Sequence, residues 1–321
     1  MRRGRALALL GSATVAALVA AVAIGTVPIP PARLLAVLLA DDRSTAALIV
    51  WDLRLPRALT AFAVGGALAL AGALIQVLLR NPLGDPYVLG VSGGASAAVL
   101  AALLLALPPG WQPGLAFVGA AISMALVFAL GRRGRVLAVE RLLLTGVVVA
   151  TGWAALIGFA LSVAPPARLP GMLFFLMGDL SDAPSPWPAA LALAVGLTLA
   201  LAFARDLNLL TLGELRASTL GVETARLRVG LYLLSSLLTA IAVSTAGGIG
   251  FVGLVAPHMV RLAGGSDHRW VLPGSVLLGG ALLVLADTAA RVAVAPRQLP
   301  VGVLTALVGV PLFLYLLNRS R

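Results

Sequence analysis

Residues 54–96, RLPRALTAFAVGGALALAGALIQVLLRNPLGDPYVLGVSGGAS, decide the fold class of this chain. Two arginines flank Pro56, and a run with almost no polar group follows for about 20 residues, the length that a helix needs to cross a bilayer. A turn rich in proline and glycine comes next and leads directly into another apolar segment. The stretch therefore predicts two membrane crossings joined by a tight hairpin.

The composition extends this interpretation to all 321 residues. Hydrophobic residues make up 60% of the chain and charged residues 11%, whereas globular domains carry about 25% charged residues. Only helices and closed barrels satisfy backbone groups in lipid, and these apolar segments do not alternate as barrel strands do. We expect an all-α integral membrane protein with a single transmembrane domain over residues 1–321.

Ten crossings agree best with the arrangement of the arginines. With a cytoplasmic N-terminus, ten alternating crossings place 16 of the 23 arginines inside and 7 outside, which follows the positive-inside rule. Both termini are then cytoplasmic, and the first run is an uncleaved membrane helix rather than a signal peptide. A short run at 251–264, interrupted by Pro257, serves as the broken tenth segment. The other nine apolar runs are 6–27, 56–79, 88–107, 112–130, 142–164, 187–205, 228–247, 271–290 and 300–318.

Missing residue types exclude several kinds of chemistry. All 23 basic residues are arginine, and a phosphate-binding P-loop needs a lysine, so another polypeptide must bind any ATP used. The chain has no cysteine, so thiolate nucleophiles and metal sites with thiolate ligands are excluded. His258 and His268 are too far apart for a metal pair on one helix. We expect no catalytic residue, no metal, no cofactor and no nucleic-acid partner.

Three arginines are predicted at the outer side of the membrane. Arg54 and Arg57 flank Pro56 at the start of one span, and Arg291 ends another. They either extend to lipid headgroups or bind acidic residues of an external partner, since guanidinium groups match carboxylates. Asp287 lies one helical turn before Arg291, which favours a structural ion pair, with a proton relay as the alternative.

The turn at 81–86 is predicted at the inner side. Pro82 and Pro86 prevent a continuous helix there, so the segment is either a plain hairpin or an inner constriction. Gln76, just before it, either hydrogen-bonds across helices or lines a path. The longest polar stretch, at about 206–228, predicts an inner loop with a short amphipathic helix capped by Asn208 or Thr211.

Several motifs together resemble the permease subunits of type II ABC importers for iron chelates, heme and vitamin B12. The resemblance implies about ten helices per subunit in the fold of the vitamin B12 permease. It also implies a homodimer with the path on its two-fold axis, two cytoplasmic ATPase subunits that bind ATP and Mg, and a periplasmic binding protein. The motifs are RLPR (54–57), NPLGDPYVLGVSGGAS (81–96), LGELRASTLG (212–221), GGIGFVGLVAPHMVRL (247–262), DHR (267–269), LADTAAR (285–291) and LPVGVLTALVGVPLFLYLL (299–317).

The resemblance also implies roles for individual residues. In the family, arginines at the positions of Arg54, Arg57 and Arg291 contact acidic residues of the binding protein. A coupling helix sits in a groove of the ATPase and matches Gly213, Glu214, Leu215, Arg216, Ala217 and Gly221.

The cytoplasmic gate is matched only in part. Asn81 and Leu83 stand at gate positions of the family. The vitamin B12 permease has small hydroxyl residues in the second gate segment, where this chain has Val139 and Glu140.

These expectations define an ATP-driven importer subunit in a bacterial inner membrane, which is not itself an enzyme. Heme is the preferred cargo, with vitamin B12 or a ferric siderophore as alternatives. A proton-coupled secondary transporter with Asp287 or Glu140 as its coupling group is the competing class.

Overall fold

The computed structural model describes residues 3–39, 44–133, 136–137, 139–181 and 185–319, and these are mostly helical. A π-helical turn, Ile49–Arg54, joins α3 to α4 without a break, and short 3-10 helices lie at Pro86–Leu89 and Pro109–Trp111. Strands β1 (Arg132–Arg133) and β2 (Val136–Leu137) form an antiparallel pair. The α-helices are α1 (Arg3–Ala23), α2 (Pro31–Leu39), α3 (Thr45–Leu48), α4 (Leu55–Leu78), α5 (Val91–Leu104), α6 (Gln112–Gly131), α7 (Val139–Val163), α8 (Leu169–Met177), α9 (Trp187–Ala202), α10 (Ala204–Thr211), α11 (Glu214–Thr219), α12 (Thr224–Ala246), α13 (Val252–Gly264), α14 (His268–Val292) and α15 (Val301–Arg319).

The prediction of an all-α membrane fold with about ten apolar helices is confirmed. Six of the described helices are long and apolar enough to span a bilayer. The pair α9 and α10, bent by 63°, counts as a seventh candidate, and α5, α13 and α15 are shorter apolar helices. Each of the ten predicted runs falls on one of these segments.

The predicted break at Pro257 is wrong, because α13 continues through this residue. Proline has no N–H to donate to the carbonyl four residues earlier, here that of Gly253. The side-chain Nε2 of Gln76 lies 3.5 Å from that oxygen. Membrane helices tolerate proline where a polar group of a neighbouring helix satisfies the carbonyl that the proline leaves unpaired.

Helix α4 forms the centre of the bundle, and most of its residues are buried. It packs directly on α14 and α13 through glycines. A Cβ at Gly65 would overlap the carbonyl oxygen of Gly279, and a Cβ at Gly72 would overlap that of Gly253. Small residues let helices approach closely in lipid, where dispersion contacts replace the hydrophobic effect.

The polar stretch after α9 forms two short helices instead of one. Asn208 and Thr211 lie inside α10, so the prediction that either caps the amphipathic helix is wrong. Gly213 precedes α11 with φ of 109°, and Gly221 follows it with φ of 87°. Such backbone angles suit glycine, and they let the chain turn sharply on both sides of α11.

The two ends of α4 define the two ends of the bundle. We call them the Arg57 end and the Gln76 end, and a rise of 1.5 Å per residue separates them by about 28 Å. Helices α10 and α11 and the turn at 81–86 belong to the Gln76 end. The face of α7 carries exposed Val148 and Phe159, so this single chain leaves an apolar helix face uncovered.

Candidate functional site

A buried ion cluster lies at the Arg57 end. The Nε of Arg57 donates to both carboxylate oxygens of Asp287 at 3.1 and 3.0 Å, and its Nη2 donates to Oδ1 at 2.8 Å. The Nε of Arg291 lies 3.3 Å from Oδ2, an ion pair by distance without hydrogen-bond geometry. The predicted ion pair between Asp287 and Arg291 is therefore confirmed. Arg57 is the closer partner, which sequence reasoning missed because 230 residues separate the two side chains.

Arg54 and Arg291 bind the C-terminal end of α1. The Nη1 of Arg54 donates to the carbonyls of Val22 and Ala23 at 2.9 and 3.0 Å. The Nη2 of Arg291 donates to the carbonyl of Ala21 at 3.1 Å. The last carbonyls of a helix have no partner within it, and cations there also oppose the helix dipole. Both guanidinium groups thus cap α1.

This arrangement differs from the expected rim of three outward-facing cations. The residues Arg54 and Arg291 are buried, whereas the side chain of Arg57 is 14% exposed. All three line one cavity of about 330 Å³ at this end. The Nη1 of Arg57 also donates to Oε1 of Gln298 at 3.1 Å, on the open side of the cavity. Arg57 is therefore the most accessible cation of the cluster, and its role in docking stays a prediction.

Gln76 ties three segments together at the opposite end. Its Oε1 accepts a hydrogen bond from Nη1 of Arg261 on α13, and its Nε2 donates to the carbonyl of Gly84 at 3.3 Å. The residue is 4% exposed. Of the two predicted roles, the structure shows the hydrogen bond across helices. Gln76 also contributes to a polar cavity of about 300 Å³, so the path-lining prediction stays open.

The predicted gate turn has a defined backbone. Asn81 N–H donates to the carbonyl of Gln76 at 3.1 Å and closes the end of α4. The side chain of Asn81 accepts from the N–H of Leu83 at 2.9 Å, and Leu83 itself is 42% exposed. Hydrogen bonds of this kind stabilise turns. The turn thus presents an apolar side chain on a fixed backbone.

Asp85 holds the following 3-10 helix. Its Oδ1 accepts from the N–H of Tyr87 at 2.8 Å, and the hydroxyl of Tyr87 accepts from the N–H of Ile249 at 3.0 Å. Burial raises the pKa of the Asp85 carboxyl, and the bond from Tyr87 offsets part of that shift. These bonds satisfy backbone groups in two irregular segments.

The second predicted gate segment begins α7. Val139 is partly buried and Glu140 is exposed. Within the described part of the chain, no hydrogen bond or ion pair joins either residue to Asn81 or Leu83. The gate assignment of all four residues therefore stays a prediction that a single chain does not test.

The predicted coupling segment is an exposed helix with a buried anchor. Leu215 on α11 is 79% exposed, and Arg216 is exposed beside it, whereas Ala217 is buried. The carboxylate of Glu214 lies 2.7 Å from Nη2 of Arg228 on α12, whose side chain is 8% exposed. Sequence reasoning missed this anchor. Movement of α11 would therefore act directly on α12.

A second connection joins α10 to α14. The Oδ1 of Asn208 accepts from the backbone N–H of His268 at 2.9 Å and lies 2.7 Å from its Nδ1. The Nδ2 of Asn208 donates to Asp267, which begins α14, at 3.0 Å. The polar stretch is thereby held to the first turns of two long helices, α12 and α14.

Many helices apolar enough to cross a bilayer, together with a polar segment whose two short helices are held to α12 and α14, are typical of a membrane transport subunit. The model of the FecCD transport family matches residues 13–319, and the chain belongs to this family. It is 44% identical over 280 residues to the cobalamin import system permease protein BtuC of Halobacterium salinarum, covering 85% of this chain and 74% of that one. It is 40% identical over 278 residues to the vitamin B12 import system permease protein BtuC of Escherichia coli O9:H4, covering 85% of each.

Solved structures agree with this assignment. An ABC transporter assigned to the metal-chelate type, in an inward-facing conformation, superposes with a TM-score of 0.87 at 30% identity, over 98% of this chain and 99% of the other. PsaBC from Streptococcus pneumoniae shares only the fold, with a TM-score of 0.55 at 18% identity, over 84% of this chain and 93% of the other. The chain is thus a permease subunit of a type II ABC importer. Family membership implies separate ATPase partners and a dimeric permease in the membrane.

Proposed function

We propose that this permease imports vitamin B12. The observation that carries the proposal is the pair of relatives from two organisms, at 44% and 40% identity, which are both named for cobalamin or vitamin B12 import. The expected preference for heme finds no support in the relatives reported above. Cobalamin is itself a cobalt chelate, so the metal-chelate type of the structural relative agrees with the same cargo class.

Uptake by the reconstituted importer tests the cargo. The permease is placed in liposomes with its ATPase and binding protein, and uptake of cyanocobalamin, hemin and a ferric siderophore is compared at equal concentrations. ATP-dependent uptake of cyanocobalamin, unaffected by a protonophore, is the expected result. Preferential uptake of hemin or the siderophore would replace the proposed cargo and leave the importer class intact.

The cavity at the Arg57 end supports a docking site for a periplasmic binding protein. Arg57 can exchange its exposed bond to Gln298 for a carboxylate of the partner without leaving Asp287. Arg54 and Arg291 hold α1 and the cluster in place, and in the docked complex they add positive charge behind Arg57. We therefore assign direct contact to Arg57 and a positioning role to the other two.

Binding-protein affinity separates these roles. Arg57→Gln should weaken binding with unchanged packing of α1, and it should also lower thermal stability because buried Asp287 loses three hydrogen bonds. Arg54→Gln should lower thermal stability through the loss of its bonds to the end of α1. The exposed Arg205 on α10 provides a matched control, Arg205→Gln, because it lies at the Gln76 end. Full affinity in Arg57→Gln would refute the docking assignment.

Helix α11 supports a coupling role towards the ATPase. An exposed Leu215 between Gly213 and Gly221 suits insertion into an apolar groove, and Arg216 adds a charge beside it. The ion pair of Glu214 with Arg228 transmits displacement of α11 to α12. The N- and C-termini and this helix would all face the cytoplasm, where ATP and Mg bind to two ATPase subunits.

The gate would form between two copies of the chain. Leu83 and Glu140 are exposed at the same end of the bundle, and the apolar face of α7 is uncovered in a single chain. A homodimer that buries this face would bring the segments of Asn81 and Val139 from both copies to the two-fold axis. Disulfide trapping of Leu83→Cys in this cysteine-free chain tests the arrangement, because only a dimer axis brings the two introduced thiols together.

The proton-coupled alternative is not supported. Asp287, its first candidate group, accepts three hydrogen bonds from Arg57 and pairs with Arg291. These contacts give the carboxylate a structural role, since they hold α14 to α4.

A further inference from the structure

The polar cavity at the Gln76 end has the features of an anion site. Its volume of about 300 Å³ lies between the turn after α4, the end of α10, α13 and the start of α14. Among the described residues, two arginines and no acidic residue line it, so these walls carry a net positive charge. The polar residues used below are Gln76, Arg80, Thr211, Arg261, Ser266 and His268.

His268 borders this cavity and carries a buried nitrogen without a partner among the described residues. The residue is 1% exposed, and its Nε2 has no hydrogen-bond partner within the described residues. Asn208 donates its Nδ2 to Asp267, so its Oδ1 must accept from the Nδ1–H of His268. In the neutral ring Nε2 is then an acceptor, and leaving a buried acceptor unpaired is costly.

Arg261 brings one charge to the cavity. Its Nη1 donates to Gln76, and its other donors make no hydrogen bond among the described residues. The neighbouring carboxylate of Asp267 is not on the cavity wall, and it accepts from Asn208 and from the N–H of Arg269 at 3.1 Å. The positive charge of Arg261 is therefore not balanced by a carboxylate on the cavity wall.

Arg80 brings a second charge on a strained backbone. Its φ is 48°, a left-handed conformation that costs a residue with a side chain roughly 1–2 kcal/mol. It closes α4 at the position where helices usually carry glycine, with its N–H donating to the carbonyl of Val77 at 3.1 Å. A strained arginine at such a position points to a use for its side chain.

We propose that this cavity binds a phosphate-type oxyanion. The oxygens of a phosphate accept hydrogen bonds from Arg80 and Arg261, the two cations on the cavity wall. Thr211 and Ser266 supply further hydroxyl groups on the cavity wall. At about 30 Å³ per water molecule, the space accommodates one phosphate together with several waters.

Because the site lies between several segments of the chain, a bound anion would hold these segments together. The anion would connect the end of α4, through Arg80, with α13, through Arg261, and Thr211 on the same wall belongs to α10. A ligand that binds one arrangement of these segments stabilises that arrangement. An occupied site would therefore hold the turn at 81–86 against the segment that carries α11.

Calorimetric titration of the full-length permease homodimer in detergent and phosphate-free buffer tests the proposal. Inorganic phosphate should bind saturably at matched ionic strength. Arg80→Gln and Arg261→Gln should each reduce phosphate affinity about tenfold or more. Arg205→Gln, an exposed charge on α10, should leave it unchanged. Arg80→Gln is decisive because its side chain is at the surface and the variant is expected to fold.

An experiment in lipid nanodiscs distinguishes two sources of the phosphate group, a lipid headgroup and the free anion. The permease is placed in phosphatidylcholine nanodiscs with or without phosphatidic acid, whose headgroup is a phosphate monoester. Loss of phosphate binding in the presence of phosphatidic acid identifies a lipid headgroup, and unchanged binding identifies the free anion. Absence of saturable binding up to about 10 mM phosphate (a Kd that corresponds to roughly 3 kcal/mol), or equal affinity in Arg80→Gln and the parent protein, would overturn the proposal. Neither result depends on the identity of the transported cargo.

Discussion

Replacement of Glu214 by glutamine should destabilise the permease more than removal of its partner, Arg228. The two atoms of the pair, Oε2 and Nη2, lie 2.7 Å apart. The side chain of Glu214 is 43% exposed and that of Arg228 is 8% exposed. Glu214→Gln therefore leaves a buried positive charge, whereas Arg228→Met leaves a carboxylate that water can reach.

The expected magnitudes follow from this asymmetry. At 2.7 Å the attraction is about 6 kcal/mol at an effective dielectric constant of 20 and about 1.5 kcal/mol in bulk water. Loss of one partner from a fully buried pair costs about 3–5 kcal/mol, and partial exposure of Glu214 lowers this range. We expect a loss of about 2–3 kcal/mol for Glu214→Gln and about 0–1 kcal/mol for Arg228→Met.

Two measurements check the reasoning. Thermal unfolding in detergent gives the order of stabilities, in which the double variant should match Arg228→Met. Uptake per ATP hydrolysed, with the partner ATPase, should fall in all three variants because α11 loses its tie to α12. Glu223→Gln is the control, since its pair with Arg226 has side chains that are 67% and 85% exposed. Equal destabilisation by the two single variants, or normal coupling in all of them, would refute the role of this pair.

Three further perturbations have defined outcomes. Asp287→Asn should lower stability by about 3–5 kcal/mol in thermal unfolding, because buried Arg291 and partly buried Arg57 lose their counter-charge; unchanged unfolding would contradict the role of this cluster. Asp85→Asn keeps an acceptor for Tyr87, and since burial raises the pKa of Asp85, the parent protein should lose stability relative to the variant as pH rises above about 4; a gain in the stability of the parent relative to the variant would contradict this reasoning. Gly72→Ala should prevent folding, seen as loss of monodisperse protein, because its Cβ overlaps the carbonyl of Gly253.

The spans were predictable from sequence because hydrophobic length is a local property. Each predicted run coincides with a helix within a few residues, and the turn at 81–86 follows from Pro82 and Pro86. The ion pair between Asp287 and Arg291 was also predictable, since residues four apart on a helix share a face. The capping of the short helix was not predictable, because the side chain of Asn208 hydrogen-bonds to Asp267 and His268 at the start of α14 instead.

The sequence by itself determined that this chain is a bundle of about ten apolar helices with arginines at its ends and a polar segment late in the chain. Only the tertiary structure decided what those polar groups do. Arg57 meets Asp287 across 230 residues, and Asn208 meets His268 across 60. The physical reason is that hydrophobic periodicity and length predict a single helix. Which helices become neighbours depends on where small residues allow close packing. In this protein, glycines let α4 pack closely on α13 and α14. This close packing brings Arg57 on α4 next to Asp287 on α14.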